Sequence, residues 1–368
     1  MESRAFSTVL SVSLENFRNY TSEAVTLSPG FNVISGPNGQ GKTNFLESLY
    51  LLSTTRQLRG KRDSEMIQDG AERATVTAEL VATSTQLGMQ LERGSRKRAL
   101  LNGLPLPRAA DIIGRLKCVC VSSADMGIVR GEPSERRLFL DLELSAVSPA
   151  YLRHLALYKR ATEQRNALLR DSRERLQASE SFEVWEDQIA QHGAEIRMAR
   201  LKFVQDLLPF ASQTHQWMGG GEPLDLAYVL QDSAETYENL LRDLSLTRGQ
   251  DIGRGSTSIG PHRDDMDIQV GGRQARLFGS QGQQRTAVIS LKMATLALTR
   301  DRDREAPLLL LDDILSDLDE ERRRNLIDIV LHQAEQAVLT CTEASSAGDQ
   351  ILSVAKLFTV DQGSIQDK

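Results

Sequence analysis

The chain has 368 residues, of which 40% are hydrophobic and 26% charged, and its formal net charge is −6. A chain of this length is expected to form about two domains, and this composition argues against the disordered and fibrous classes. No apolar run is long enough to cross a membrane, and the N-terminal segment lacks the pattern of a secretory leader. We therefore expect a cytoplasmic protein without a membrane partner.

The cysteines favour the same compartment. The sequence contains three, Cys118, Cys120 and Cys341, without any C-x-x-C spacing. An odd number without that spacing argues against a disulfide framework or a zinc site, and a reducing environment fits best. Because Cys118 and Cys120 lie two positions apart in a strand-like run, we expect them on one buried face.

The first third of the chain predicts strands around a single helix. Residues 1–35 have the pattern of two or three short strands, and the segment after Lys42 predicts a helix with its leucines on one face. Residues 74–121 alternate between apolar and polar and contain tight turns, ending in LKCVCVS. This pattern predicts antiparallel strands.

The character changes from about 132 to 218, where long helical patterns predominate. Ser148 and Pro149 have the residue types of a helix N-cap and a first helical position. The segment GGGEP at 219–223 ends this block, and a short strand (LDLAYVL) and another helix (SAETYENLLRDLSL) follow.

Strand patterns return after residue 255 in STSIGPHR, DMDIQV and RQARLF. A long helix at about 283–300, a buried strand (PLLLLDD), a helix, a strand and a final strand pair complete the chain. The helical block is thus interpreted as an insertion into an α/β domain built from both chain ends. We expect an N-terminal head part at 1–125, a helical arm at 126–250 and a C-terminal head part at 251–368.

The segment GPNGQGKT matches the phosphate-binding pattern G-x-x-x-x-G-K-[ST], follows an apolar strand and opens a helix. Its glycines let backbone N–H groups point at phosphate oxygens, and the helix adds its positive end. The lysine is expected to reach the β- and γ-phosphates of ATP, and the threonine hydroxyl to ligate Mg²⁺. The predicted nucleotide-binding residues are Gly36, Pro37, Asn38, Gly39, Gln40, Gly41, Lys42 and Thr43.

A second acidic site is expected at the end of the buried strand LLLLDD. Asp312 can reach the Mg²⁺ shell there, and Asp313 can act as general base on the attacking water. Helix capping is the alternative for this region, because Ser316, Asp317 and Asp319 precede a helical pattern. Both interpretations can hold together.

The segment FGSQGQQRTAVISLKMATLALT predicts a largely buried helix with Ser280 at its N-cap. Its N-terminus is a second anion site. The N-terminus of this helix and that of the helix after Lys42 are both anchored in the core of one protomer, so they cannot easily reach the same γ-phosphate. Two protomers facing head to tail are therefore expected to share ATP between them. An ordinary capped core helix is the alternative.

The long separation of Lys42 from Asp312 is typical of ATP-binding-cassette (ABC) ATPase heads with inserted arms. The chain resembles the RecF family, in the SMC-like branch of these ATPases. The stretches that carry the resemblance are LENFRNY (14–20), GPNGQGKTN (36–44), SERRLFLD (134–141), GPHRDDMDIQV (260–270), GSQGQQRT (279–286) and LLLDDILSDLDEERR (309–323).

The resemblance implies an ABC-type head, with a mixed sheet, a P-loop core and an antiparallel subdomain, and an inserted short helical arm. It implies an ATP-dependent homodimer with weak ATPase activity that binds gapped DNA or single-strand/double-strand junctions and cooperates with RecO and RecR in loading RecA. Lys42, Asp312 and Asp313 would be catalytic. Ser280, Gly282 and Gln283 would face the γ-phosphate bound to the partner.

Departures from the broader ABC pattern are also present. The signature reads SQGQQ, the second acid is aspartate, and Thr340 and Thr342 stand where a switch histidine is usual. A shorter second acid predicts slow turnover. Arg18 is a further candidate for nucleotide contact, and no glutamine can be assigned to the Q-loop.

Two groups of polar residues allow more than one interpretation. The basic runs RQLRGKR and RGSRKR are interpreted either as solvated loops or as a DNA-facing surface. The GPHRDD segment is interpreted as a solvated turn, as a buttress or, with His262, as a metal site. A transporter motor subunit is the alternative function, and a chromosome organiser would need longer coiled coils. The predicted DNA contacts are Arg59, Lys61, Arg62, Arg96, Lys97 and Arg98.

Overall fold

A computed structural model describes residues 8–60, 62–81, 84–175 and 182–368. The chain divides into two compact units. We call them the head, which comprises the residues up to Met126, Phe210–Pro223 and Gln281–Lys368, and the arm, which comprises Gly127–Pro209 and Leu224–Ser280. The arm thus includes residues beyond the predicted limit of 250, because strands near 224–229 and 265–270 pair with each other.

Strands occur in both units. Those of the head are β1 Val9–Phe17, β2 Tyr20–Thr26, β3 Phe31–Ser35, β4 Arg73–Leu80, β5 Thr85–Glu92, β6 Arg98–Leu101, β7 Leu104–Pro105, β8 Cys118–Ser122, β12 Leu308–Asp312, β13 Ala337–Cys341, β14 Lys356–Asp361 and β15 Ser364–Asp367. Those of the arm are β9 Leu224–Val229, β10 Asp265–Val270 and β11 Arg273–Gln274.

Helices connect these strands and form most of the arm. In chain order they are α1 Lys42–Thr54, α2 Gly127–Arg130, α3 Pro133–Val147, α4 Pro149–Arg175, α5 Phe182–Trp217, α6 Tyr237–Arg254, α7 Ala275–Phe278, α8 Gln281–Asp303, α9 Glu320–Gln333 and α10 Asp349–Leu352. Among the described residues, none of these helices is long and apolar enough to cross a bilayer.

The head contains two sheets. One is antiparallel, in the order β2-β1-β4-β5-β6-β7, and the other has the order β15-β14-β3-β13-β12-β8, with a parallel centre and a β14–β15 hairpin at its edge. The predicted mixed α/β head is therefore confirmed. The assignment of LKCVCVS to the antiparallel set was wrong, because β8 runs parallel to β12. Its unbroken apolar run suits a strand buried on both faces.

Alternate side chains of the parallel strands enter two different cores. Ile34, Cys120 and Leu310 pack with the leucines of α1, whereas Val33 and Leu311, their neighbours along β3 and β12, pack with α8 and α9. Because successive residues of a strand point to opposite faces, α1 and α8 cover opposite faces of one sheet.

The arm combines helices with a short sheet in the order β11-β10-β9. Ser148 caps α4 as predicted, with its hydroxyl accepting from the backbone N–H of Tyr151 at 3.1 Å, and Pro149 is the first helical residue. Two strand predictions were wrong: STSIGPHR forms no strand, and RQARLF is a two-residue strand followed by α7. Side-chain hydrogen bonds, described below, organise the first of these segments.

Candidate functional site

The phosphate loop connects β3 to α1, as the sequence predicts. Gly36, Gly39 and Gly41 have φ angles of 153°, 82° and 124°, which side chains rarely allow. A Cβ atom on Gly36 would lie 2.4 Å from the carbonyl oxygen of Val360. Glycine at this position is therefore required both by the backbone angle and by the closeness of β14.

Three hydrogen bonds to Gln40 hold the loop from the side. Asn19 Nδ2 donates to the carbonyl oxygen of Gln40 at 2.8 Å, and the backbone N–H of Gly363 donates to the same oxygen at 3.1 Å. The backbone N–H of Gln362 donates to Gln40 Oε1 at 2.7 Å. The turn after β1 and the C-terminal hairpin thus fix the loop from two directions.

Lys42 is buried at the base of this loop. Its Nζ donates to the carbonyl oxygens of Gly36 and Pro37, at 2.6 and 2.9 Å. The ammonium therefore lies against the inner side of the loop, where its charge can favour a bound anion.

The next residue joins the loop to the acidic strand end. Thr43 Oγ1 donates to Asp312 Oδ1 at 2.8 Å, and Thr340 Oγ1 donates to the same oxygen at 3.0 Å. The Asp312 carboxylate is almost completely buried at the end of β12. A hydroxyl and a carboxylate in contact are the hard oxygen ligands that Mg²⁺ prefers, so these residues fit the predicted metal site.

The other oxygen of Asp312 has a cationic partner. Arg59 Nη2 lies 3.1 Å from Asp312 Oδ2. Sequence reasoning placed Arg59 on a DNA-facing surface and gave no indication of this contact, because the two residues are 253 positions apart.

Arg18 also takes a position that the sequence did not indicate. Its Nε and Nη2 donate to the buried Glu47 at 2.6 and 3.0 Å, and its guanidinium also donates to the carbonyl oxygens of Arg59 and Glu65. Arg18 therefore braces α1 against the loop that follows it. Glu47 was missed as a candidate because its role depends on this loop folding back.

Asp313 follows the candidate metal ligand Asp312 in an unusual backbone conformation, with a φ of 52°. Its backbone N–H donates to Thr340 Oγ1 at 3.0 Å, and its Oδ1 accepts from Ser316 Oγ at 3.1 Å. Burial and the Asp313 charge raise the pKa of the Cys341 thiol to about 11. Asp313 thus lies at the mouth of the site with its carboxylate directed by Ser316.

Helix capping in this region is confirmed beside the metal candidate. Asp319 is the N-cap of α9 and accepts from the backbone N–H of Arg322 at 2.9 Å. That bond, with the Arg322 guanidinium, holds the pKa of Asp319 below its usual range. The two interpretations of this acidic segment therefore apply to different residues.

The signature helix α8 begins at Gln281, and Ser280 before it is exposed. Gln283 Nε2 donates to Glu222 Oε2 at 2.5 Å, and a Cβ atom on Gly282 would lie 3.4 Å from Arg322 Nη1. Sequence reasoning missed Glu222 and Arg322. Only the fold brings the GGGEP loop and α9 to this helix end.

The two predicted basic clusters meet in the head. A cavity of about 180 Å³ is lined by both Arg62 and Lys97, and Lys97 Nζ lies 3.0 Å from Asp63 Oδ1. Arg62, Arg96 and Arg98 are exposed. Lys61 lies outside the described residues. We call this cavity, with the exposed Arg96 and Arg98, the basic face, although the acidic Asp63 and Glu92 also line the cavity.

Comparison with known proteins identifies the family. The family model described as the RecF/RecN/SMC N-terminal domain matches residues 8–366. The DNA replication and repair protein RecF of Symbiobacterium thermophilum is 41% identical over 89% of each chain. That of Roseiflexus castenholzii is 36% identical over 96% of this chain and 98% of its own. The chain belongs to the RecF family.

Solved structures agree with this assignment. A structure of the recombination mediator protein RecF with ATP, from the RecFOR pathway, has a TM-score of 0.90 and 28% identity and covers 100% of both chains. An Smc head bound to the C-terminal winged-helix domain of ScpA has a TM-score of 0.59 at 15% identity, covering 98% of this chain and 96% of its own. The second likeness concerns the fold alone, which is that of an SMC-like ABC head.

Two stretches typical of the RecF resemblance are partners inside the arm. Arg136 of SERRLFLD donates from Nε and Nη2 to the two carboxylate oxygens of Asp265, at 2.7 and 2.8 Å. Arg137 donates to the carbonyl oxygen of Asp264 at 2.8 Å. The fully buried Asp264 carboxylate accepts from Arg197 and Tyr228. The GPHRDD segment of this RecF-family chain is therefore a structural buttress of the arm.

His262 of the same segment is held as a neutral ring. Its Nε2 lies 3.1 Å from the carbonyl oxygen of Thr257, so Nε2 carries the proton, and Nδ1 accepts from Tyr158 Oη at 2.5 Å. Burial lowers the pKa of His262 to about 4. In the described part of the chain, no group of three or more His, Cys, Asp or Glu residues is placed to hold a metal. The metal interpretation of GPHRDD therefore finds no support.

The end of β8 lies beside the end of β12 in the parallel sheet. Ser122 ends β8 and pairs with Asp312 across the parallel sheet. Its backbone N–H and hydroxyl both donate to Asp125 Oδ2, at 2.7 and 2.9 Å. In this RecF-family chain, Ser122 and its partner Asp125 thus stand at the strand end beside Asp312.

Proposed function

We propose that this chain is an ATP-dependent DNA-binding protein of recombinational DNA repair and replication restart. It would bind gapped DNA or single-strand/double-strand junctions in the cytoplasm as an ATP-induced homodimer, hydrolyse ATP slowly, and act with RecO and RecR to help load RecA. The observation that carries the proposal is the contact of Thr43 with Asp312 at 2.8 Å, in a chain whose curated relatives are named DNA replication and repair proteins.

The phosphate site supports the nucleotide assignment. In this proposal the residues from Gly36 to Thr43 hold the triphosphate, Lys42 contacts its terminal phosphates, and Thr43 and Asp312 hold Mg²⁺. When bound, Mg²⁺ would neutralise charge that develops on the phosphates. Asp313 would accept the proton of the attacking water. Because its carboxylate is shorter than that of glutamate, we expect slow hydrolysis, which suits a switch better than a metabolic enzyme.

The two cores of the head support a shared nucleotide. The α1 helix packs with one face of the sheet and α8 with the other. Hydrophobic burial on opposite faces keeps the N-termini of these helices from converging on one phosphate within a single chain. We therefore propose that Ser280, Gly282 and Gln283 contact the γ-phosphate held by a second copy.

The basic face supports the DNA assignment. Arg62, Arg96 and Arg98 have exposed side chains, which can approach a DNA phosphate backbone. Within the described residues, none of these three arginines would lose an internal ion pair by doing so. Lys97 and Arg59 are further proposed DNA contacts, as is Lys61, which lies outside the described residues. A net charge of −6 on the whole chain does not oppose this, because screening limits charge effects to about 10 Å.

Sedimentation velocity tests the proposal. We expect the wild-type protein to dimerise with ATP and Mg²⁺ and to bind gapped DNA in that state, and we expect Lys42→Met to remain monomeric and to lose ATP-dependent DNA binding. An oligomer that forms equally without ATP, or no DNA binding in any state, would contradict the proposed switch.

A further inference from the structure

The metal carboxylate already has a cation beside it. Arg59 Nη2 lies 3.1 Å from Asp312 Oδ2, and the side chains are 60% and 2% exposed. The other oxygen, Oδ1, accepts from Thr43 and Thr340. An almost buried carboxylate is costly without a partner, and here an exposed arginine supplies the positive charge.

The backbone of Arg59 is held in place for this contact. Glu47 Oε1 accepts from the backbone N–H groups of Leu58 and Arg59, at 2.9 and 3.2 Å. Arg18 Nη2 donates to the carbonyl oxygen of Arg59 at 2.8 Å, and Arg18 itself is paired with Glu47. The loop is thus fixed at Arg59, so that the side chain can leave Asp312 without unfolding the loop.

We propose that the Arg59 guanidinium is an internal occupant of the metal position, which a divalent cation must displace from Asp312. The inference rests on the proposed function, since it assumes that Thr43 and Asp312 hold Mg²⁺. Two cations beside one carboxylate repel each other strongly in a partly buried site. Arg59 and the metal therefore compete, and Arg59 sets the metal concentration at which the site fills.

Titration with Mn²⁺ tests the competition without any turnover. Binding is measured as the decrease in the electron paramagnetic resonance signal of free Mn²⁺. The proteins are wild type, Arg59→Gln, Arg59→Lys and Arg56→Gln, each with and without ATP. Arg56 is an exposed arginine of the same loop and serves as the matched control. We expect Arg59→Gln to bind Mn²⁺ about fivefold more tightly than wild type when ATP is absent, and Arg56→Gln to match wild type.

Arg59→Lys retains a cation with fewer donors and should fall between wild type and Arg59→Gln. Equal or weaker Mn²⁺ binding by Arg59→Gln, in a protein that still binds Mn²⁺ with ATP, would overturn the inference and leave the proposed function intact. Failure of all four proteins to bind Mn²⁺ with ATP would overturn the proposed function as well.

Discussion

Thr43 and Asp312 are 269 positions apart in the chain, yet Thr43 Oγ1 donates to Asp312 Oδ1 at 2.8 Å. This contact exists because the parallel sheet places β3 and β12 on either side of β13. Asp312 thus ends β12, and Thr43 lies in the first turn of α1, after the carboxyl end of β3. This is the edge at which open α/β sheets bind ligands.

Replacing Thr43 with valine should remove the hydroxyl from the metal site while conserving side-chain volume. We expect the affinity for Mg·ATP to fall about tenfold or more, because a metal ligand is lost. Fluorescent ATP titration with and without Mg²⁺ measures this. Thr54→Val is the control, since Thr54 belongs to the same helix and its hydroxyl bonds to nearby backbone groups. Retained Mg²⁺ dependence in Thr43→Val would contradict the assigned metal site.

Gly36→Ala should disrupt the phosphate loop. Its Cβ would lie 2.4 Å from the Val360 carbonyl oxygen at a φ of 153°, so that β14 or the loop must move. We expect ATP binding to become undetectable by calorimetry, while the far-ultraviolet circular dichroism remains native. Gly70→Ala, at a φ of 84° with open space around it, should only cost about 1 kcal/mol of stability. Normal ATP binding by Gly36→Ala would show that the loop tolerates a side chain there.

Replacing Arg96, Lys97 and Arg98 with glutamate should weaken DNA binding and flatten its salt dependence. Since Lys97 is already paired with Asp63, we expect the slope of log K against log[salt] to become shallower by about 2. Fluorescence anisotropy with gapped DNA at several salt concentrations measures the slope. The exposed arm residues Arg153 and Arg160, replaced by glutamate, serve as control. An unchanged affinity and slope in the triple variant would exclude this surface.

The stability of the protein should fall between pH 6.5 and pH 4 because of His262. Its folded pKa of about 4 lies below the usual value of 6.5, so the unfolded chain takes up a proton first as the pH falls. At pH 5 this linkage costs about 2 kcal/mol of unfolding free energy relative to pH 8. Urea unfolding at both pH values measures it. His262→Gln should reduce the pH dependence by that amount, whereas the exposed His332→Gln should not. If the unfolding free energy of His262→Gln changed with pH as much as that of the wild type, the linkage would be refuted.

Arg165 should be essential for folding of the arm. It is fully buried and donates to Glu186, Asp251 and Thr257 at 2.8 to 3.2 Å. Arg165→Met would leave the buried Asp251 carboxylate without its cation, so we expect a loss of about 3–5 kcal/mol in urea unfolding. Arg160→Met changes an exposed arginine of the same helix and should cost under about 0.5 kcal/mol. A loss for Arg165→Met no greater than that would refute the role of this ion pair.

Local patterns in the sequence determined the type of most elements and the positions of the motifs. The phosphate loop at 36–43, the capped start of α4 at Pro149 and the acidic end of β12 can each be recognised from neighbouring residues. Local backbone and side-chain preferences give these segments their patterns, which the sequence expresses directly. The LKCVCVS strand was recognised for the same reason, although its sheet partner was not.

The tertiary structure decided which distant residues meet. Arg59 reaches Asp312, Gln283 reaches Glu222, and Arg18 pairs with Glu47. These pairings depend on sheet order and on loops folding back, and no short-range pattern encodes them. The sequence by itself therefore determined the family and predicted the residues of the site, whereas only the fold decided which cation stands beside Asp312, because burial and charge pairing are settled by the whole packed chain.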